Sequence, residues 1–231
     1  MSPTAFRRQM RYLKDQGFTS IRLSDLVTSL KSNLALPGRA FVLTFDDGFK
    51  NVYQIAFPLL QELGFTATIF LVTDYIGQRA SWELGERDRK AGVQHFPLLS
   101  WAEIKEMHRY GFTFGAHGAG HLPLTRLPAR QVRSDVEKSK RIIEDELGTD
   151  CQLFCYPYGD YNQVVRGIVQ ETGFEGAVTT EFGRNGSGAD LYALRRIGSA
   201  HFTTIPVFRA CLYGTYGWHL RRRKTRFPQR G

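Results

Sequence analysis

The chain has 231 residues, of which 42% are hydrophobic and 23% charged; this suits one sizeable globular domain and excludes a disordered or fibrous chain. No apolar run approaches the roughly 18 residues that a bilayer-spanning helix needs. The net charge of +9 would suggest nucleic acid, but Arg221, Arg222, Arg223, Lys224, Arg226 and Arg230 supply six of the nine units, leaving about +3 for the other 219 residues.

A body so mildly basic is no nucleic-acid-binding domain. Residues 1–219 read as the single domain, and 220–231 as a basic, disordered tail able at most to touch an anionic membrane surface weakly. The N-terminal segment has neither an uninterrupted apolar stretch nor a small-residue cleavage site, so it is not a signal peptide and the cytoplasm is the expected compartment. An annotated start placed too far downstream would undo that expectation. Cys151, Cys155 and Cys211 are too few for a disulfide scaffold and read as small, reduced, buried residues.

In chain order, Ser2 and Pro3 suit the N-cap and first position of a helix. Its apolar stripe is Phe6, Met10 and Leu13, and Gly17 ends it. A strand-like run at 19–23 precedes a helix capped by Ser24 with Leu26, Val27 and Leu30 inward. AFVLTF at 40–45 reads as a buried strand, 52–63 as a helix closed by Gly64, and ATIFLV at 67–72 as a second buried strand. The irregular stretch 75–99 is too long for a simple connection, so it is either a lid or substrate-binding loop or plain disorder. Ser100 and Glu103 form a capping box for a helix ending at Gly111. A strand at 113–116 follows, then the clearest helix, 129–147, with Val132, Val136, Ile143 and Leu147 on one face and Gly148 at its end. Strands at 153–156, 177–180 and 194–197 and helices at 163–172 and 205–213 complete the pattern. Strand and helix in this rhythm predict parallel βαβ units, hence an α/β fold, though periodicity alone does not separate a barrel from an open sheet.

Three segments each sit just past a predicted strand, where sites assemble in parallel α/β folds. In Thr44-Phe45-Asp46-Asp47-Gly48, two carboxylates at the edge of the core are costly unless bound to something. Adjacent side chains on extended chain diverge, so one can hold a metal while the other faces a reacting water; a DDG turn capping the next helix is the alternative. In Gly115-Ala116-His117-Gly118-Ala119-Gly120-His121, two imidazoles four residues apart can converge on one cation if the backbone makes a single turn, which the glycines permit. Two histidines and one carboxylate leave open positions for water and substrate, as a catalytic divalent cation requires. Such a cation lowers the pKa of a bound water, and a nearby carboxylate can take its proton: chemistry that fits hydrolysis of an amide or ester. In Phe154-Cys155-Tyr156-Pro157-Tyr158-Gly159, Pro157 and Gly159 set a turn whose backbone N–H groups can stabilise an oxyanion; an ordinary strand-ending turn is the alternative.

TFDDG, then HxxxH, then FCYPYG, in this order and spacing, resemble the motifs of the NodB-like polysaccharide deacetylases (carbohydrate esterase family 4), in an FxYPYG variant. The likeness continues in FPLLQELGFTATIFLV and in ALRRIG at 193–198, and runs from about residue 2 to 213. It implies a distorted (β/α) barrel of about seven strands, a divalent cation (zinc foremost) and an N-acetylated glycan as substrate. By the same resemblance Asp46 would be the general base, and Asp47, His117 and His121 the metal ligands. Tyr158 would give its backbone N–H to the acetyl oxygen, with Pro157 and Tyr158 lining the substrate site.

The chain departs from the family pattern in four places. Gly118 replaces the usual Ser or Thr of the histidine motif, and Cys155 replaces the arginine that orients the base; a thiol supplies no fixed positive charge. The late Leu-x-His, whose histidine acts as general acid, has only His201 as a candidate. The strand with a Tyr-His pair that usually precedes the first helix has no counterpart, so either the barrel is open on that side or the start lies upstream. His95, His108 and His219 have no motif around them and read as surface residues. Trp82, on the long irregular stretch, offers an aromatic face to a pyranose ring, or simply packs. The expected activity is removal of N-acetyl groups from sugar residues; opening of a cyclic amide, or a catalytically impaired glycan-binding relative, are the alternatives.

Overall fold

A computed structural model of the protein describes residues 1–82, 90, 92, 96–198 and 204–214. Their order is α1 (Pro3–Asp15), β1 (Thr19–Ser20), α2 (Leu23–Ser32), β2 (Ala40–Phe41), β3 (Thr44–Phe45), α3 (Phe57–Leu63), β4 (Thr68–Leu71), α4 (Trp101–Arg109), β5 (Thr113–Ala116), α5 (Ala129–Leu147), β6 (Leu153–Cys155), α6 (Gln163–Glu171), β7 (Gly176–Phe182), β8 (Leu194–Arg196) and α7 (Ile205–Leu212). Strands β3 to β8 lie side by side in sequence order, all parallel, and β1 and β2 form a separate parallel pair. This is the winding of a distorted (β/α) barrel, an α/β fold. Among the described residues no backbone ladder joins β3 to β8, so the curl is open between its first and last strands.

The helices form where capping and periodicity allow. Ser2 accepts a hydrogen bond from the Ala5 N–H (3.3 Å), and Phe6, Met10 and Leu13 are the buried face of α1. Ser100 and Glu103 close a reciprocal capping box on α4. In α5, Val132, Val136 and Ile143 are buried, and Gly148 adopts the left-handed cap.

Three elements differ from the sequence expectation. First, α2 is capped at Arg22, whose N–H is held by the Asp25 carboxylate (3.0 Å), so Ser24 lies inside the helix. Second, the run 40–45 is two strands because it changes partners midway. The Phe41 carbonyl accepts from Ile21 beside β1, and the Leu43 carbonyl accepts from Thr68 of β4. Third, the predicted helix 52–63 opens with a π turn, in which the Phe57 N–H reaches back to the Val52 carbonyl. Pro58, next in line, has no N–H with which to continue an i→i−4 ladder.

The sheet is buried on both faces. Phe70, Leu153, Val178 and Leu194 cluster with Leu23 and Val27 of α2, while Ile69, Leu71, Phe154 and Ala177 turn to the other helices. A cavity of about 1110 Å³ opens between β2–β3 and β8, walled by Phe41, Leu43, Leu194 and Phe208, and it reaches Asp46 and Arg196. All three cysteines are buried free thiols. No helix among the described residues is long and apolar enough to cross a membrane. The tail 220–231 lies outside the described residues.

Packing between β4 and β5 leaves no slack where the histidine segment begins. Phe70 pairs with Gly115, and a Cβ on Gly115 would stand 2.7 Å from both the Phe70 ring and the Leu153 carbonyl oxygen. Gly115→Ala is therefore expected to destabilise the fold by about 1–3 kcal/mol, the usual range for overpacking a filled interior. A urea denaturation midpoint equal to that of the unaltered chain would show that β4 and β5 can separate to admit a methyl group.

Candidate active site

The carboxyl ends of β3, β5 and β6 bring the three motif segments together. Asp47 Oδ1 lies 3.5 Å from His117 Nε2 and 3.4 Å from His121 Nε2. The three ligand-type atoms lie within 4.8 Å of one another. Those separations exceed an ordinary N–H···O hydrogen bond. They match the roughly 3.3–3.4 Å between tetrahedral ligands that each stand 2.0–2.1 Å from a zinc-sized ion.

The tautomers agree with that reading. His117 Nδ1 is 2.7 Å from the Cys155 carbonyl oxygen, which can only accept. Nδ1 therefore carries the proton, and the Nε2 lone pair faces Asp47. His121 is buried, and burial, reinforced by the charge His117 can carry, depresses its pKa to about 2. It is a neutral imidazole, the form that binds metal. Its Nδ1 is buried with no hydrogen-bond partner among the described residues. The donor set fits a divalent cation.

Backbone strain is concentrated here. Four non-glycine residues among those described have positive φ: Asn33 at the end of α2, and Asp47 (68°), His121 (53°) and Tyr158 (61°). Each of the last three holds one site side chain or peptide in a conformation that ordinarily costs an L-residue free energy. The segment 117–121 is braced from outside. The Asp135 carboxylate on α5 accepts from the N–H groups of Ala119 (3.0 Å) and Gly120 (2.9 Å). Burial raises its pKa above the ordinary carboxylate range despite those two donors. Gly118 has φ +73°, and a Cβ there would stand 2.6 Å from Asp135 Oδ2. The position held by Ser or Thr in the family pattern is here filled by a carboxylate from a neighbouring helix.

Asp46 is held differently. Arg196, on β8, grips its two oxygens with a fork of 2.7 and 2.8 Å. Burial alone would raise the Asp46 pKa; the charge and hydrogen bonds of Arg196 more than offset it and hold the carboxyl below its ordinary value. Cys155 sits beside the pair, with Sγ 3.6 Å from Asp46 Oδ1, and burial pushes its thiol well above the normal range, so it stays protonated. The absent arginine of the third motif thus does not leave Asp46 without a cation, which corrects the expectation drawn from Cys155. Nothing local singles out Arg196 within ALRRIG. The signal available was a buried carboxylate that needs a cation, and an arginine ending a strand at the level of the other motifs.

Of the two readings of Trp82, the structure favours packing. Its ring is buried against His121 (centroids 4.9 Å), Tyr75 and Phe49, so it backs a histidine and presents no free face for a sugar. Tyr158 packs on His121 from another side (4.6 Å), its own ring 45% exposed, and Pro157 is buried next to it. The turn they form depends on Gly159, at φ +74°, where a Cβ would meet Thr180 Oγ1 at 2.0 Å. The C-terminal end of the long stretch 75–99 is pinned to the DDG turn, Leu99 donating to the Gly48 carbonyl (2.8 Å) and Lys50 to that of Pro97 (2.9 Å). His201, the candidate acid, lies outside the described residues, as do His95, His219 and most of 83–95. His108 is half-buried, edge-on to Phe114.

A family model described as polysaccharide deacetylase matches residues 34–177. YxkH of Bacillus subtilis is 28% identical over 83% of this chain and 63% of its own length. The poly-β-1,6-N-acetyl-D-glucosamine N-deacetylase of Escherichia coli K12 is 23% identical over 78% of this chain and 31% of its own length. The chain thus spans less than two thirds of these curated relatives. The solved structure of IcaB from Ammonifex degensii superposes with a TM-score of 0.78 at 26% identity, covering 92% of this chain and 89% of that one.

Removing the Asp135 carboxylate would take the acceptor from the buried Ala119 N–H and the half-buried Gly120 N–H. Asp135→Ala is expected to weaken zinc binding roughly 10- to 100-fold, the usual effect of losing a group that braces a ligand, with helix content unchanged by circular dichroism. Asp135→Asn, whose amide oxygen can still accept, should lose less. Equal zinc affinity in all three proteins, measured by competition with a chromophoric chelator, would show that the histidine loop holds its shape unaided.

Proposed function

The chain belongs to the polysaccharide deacetylase family, and from that premise we propose that it is a metal-dependent N-deacetylase, hydrolysing the acetamido groups of an N-acetylated glycan. One observation carries the reading: a carboxylate and two imidazoles meet around a common point, and a second carboxylate, separately clamped, stands beside them. Structural ion pairs rarely come in that division of labour.

A divalent cation held by Asp47, His117 and His121, zinc foremost for this ligand set, would supply Lewis acidity toward both water and the acetyl oxygen. The chain's own groups do the rest. Asp46, kept ionised by Arg196, accepts the proton of the attacking water. The backbone N–H of Tyr158, in the strained turn after β6, is the proposed donor to the oxyanion. The departing nitrogen needs a proton; Asp46 then holds one, and His201 is the proposed second source. Tyr158 and Pro157 shape the wall the sugar would meet. Because relatives of this chain are named for poly-β-1,6-N-acetylglucosamine, that polymer is the first substrate to try, with chitin oligomers and peptidoglycan fragments alongside.

Acetate release from these substrates is the direct measurement. Asp46→Asn is expected to lower kcat by roughly 10²- to 10⁴-fold, the usual contribution of a general base, while zinc stoichiometry stays at that of the unaltered chain. Full activity in Asp46→Asn would remove it as the base. His117→Ala should instead lose zinc and acetate release together.

Chelation supplies an independent check. Protein stripped of metal is expected to release no acetate and to recover on addition of zinc. A stripped sample as active as the loaded one would end the metal-dependent reading.

A further inference from the structure

We propose that Arg196 is the positioning residue for the base Asp46, doing from the last strand what the family pattern does from the third motif, where this chain has Cys155. The inference rests on the reading of Asp46 given above.

All five N–H groups of the guanidinium are engaged. Nε donates to the Thr179 carbonyl (2.8 Å). Nη1 donates to Thr44 Oγ1 (3.1 Å) and Asp46 Oδ1 (2.7 Å), and Nη2 to Asp46 Oδ2 (2.8 Å) and Cys155 Sγ (3.4 Å). A side chain so completely satisfied, and only 17% exposed, has one orientation. Its fork therefore fixes the plane of the Asp46 carboxylate as well as neutralising it, which a point charge would not do. The partners lie on β7, β3, the β3 turn and β6, so the clamp also spans the open side of the curl between β3 and β8.

The volume around Asp46 explains why the cation comes from β8. Cys155 is fully buried, and its sulfur lies against the guanidinium. An arginine at 155 and one at 196 would compete for the same fork of carboxylate oxygens, which Arg196 already fills. A small thiol on β6 leaves the guanidinium that place. The exchange predicts that the arginine can be moved: truncating 196 vacates the space into which a side chain at 155 could extend.

The test uses the full chain, zinc-loaded, with acetate release as one readout and metal-free denaturation as another. Arg196→Lys keeps the charge and the stem and should fold, bind zinc with unchanged affinity and keep KM within about twofold, while kcat falls roughly 10- to 100-fold. The double variant Arg196→Ala/Cys155→Arg is expected to recover at least part of the kcat that Arg196→Ala loses. On metal-free protein, the shifts in denaturation midpoint caused by Arg196→Lys and Asp46→Asn should be clearly non-additive. A kcat of Arg196→Lys within twofold of the unaltered chain would overturn the proposal, as would a loss confined to KM or zinc occupancy, or additive midpoint shifts. If the unaltered, zinc-loaded chain releases no acetate from any substrate, it is the activity reading that fails. The denaturation cycle still decides whether Arg196 and Asp46 act as one unit.

Discussion

Two adjacent carboxylates at the end of a buried strand set the terms for everything around them. Asp46 and Asp47 follow an apolar run, and ionised carboxylates at the rim of an apolar interior are tolerated only when matched by charge and hydrogen bonds. The chain matches them separately. Asp46 is met by a guanidinium that approaches from β8, whereas Asp47 faces two imidazole nitrogens, 3.5 and 3.4 Å away at the end of β5, across a gap that suits a cation. The positive φ at Asp47 is what lets neighbouring side chains diverge that far. Set against different groups, the two carboxylates are free to have different chemistry.

That separation depends on where the strands end. Parallel winding in sequence order delivers β3, β5, β6 and β8 to one rim, so each motif needs only a short turn to reach the centre. The turns are strained because they must reverse direction while aiming a side chain inward. Three of the four left-handed non-glycine residues among those described fall there, at Asp47, His121 and Tyr158. The surroundings hold them in place: Asp135 grips the histidine loop, Trp82 and Tyr158 pack on His121 from two sides, and Leu99 and Lys50 tie the long stretch to the DDG turn. Rigid neighbours keep the three ligand-type atoms within 4.8 Å of one another.

Much of this was legible from residue order alone. Helices α1 and α5 announced themselves by caps and apolar stripes, and the capping box of Ser100 and Glu103 located α4. The three motifs fell at strand ends because apolar runs stop where carboxylates, histidines and glycines begin. What residue order does not carry is partnership across the chain. The run 40–45 reads as one strand, since nothing local says that its two halves pair with different neighbours. Arg196 reads as one of many arginines until β8 is set near β3, 150 residues away in sequence. Nothing in the residues around Trp82 decides between facing a sugar and packing; three aromatic neighbours do, and bury it.

The departures from the family pattern form pairs once volume is counted. Gly118 gives up a hydroxyl, and the space its side chain would have taken is occupied by an Asp135 oxygen that braces the same loop through its backbone. Cys155 gives up a cation, and the space beside its sulfur is occupied by a guanidinium that grips the same carboxylate, Asp46. In each case a residue becomes smaller at the motif, and a charged group enters from the neighbouring element to restore the interaction. Such exchanges are possible because a packed interior fixes volume and charge balance more strictly than it fixes which strand supplies them. A site of this kind is recognised by the groups converging on its reacting point, and a missing motif residue means little until its neighbours have been searched for a replacement.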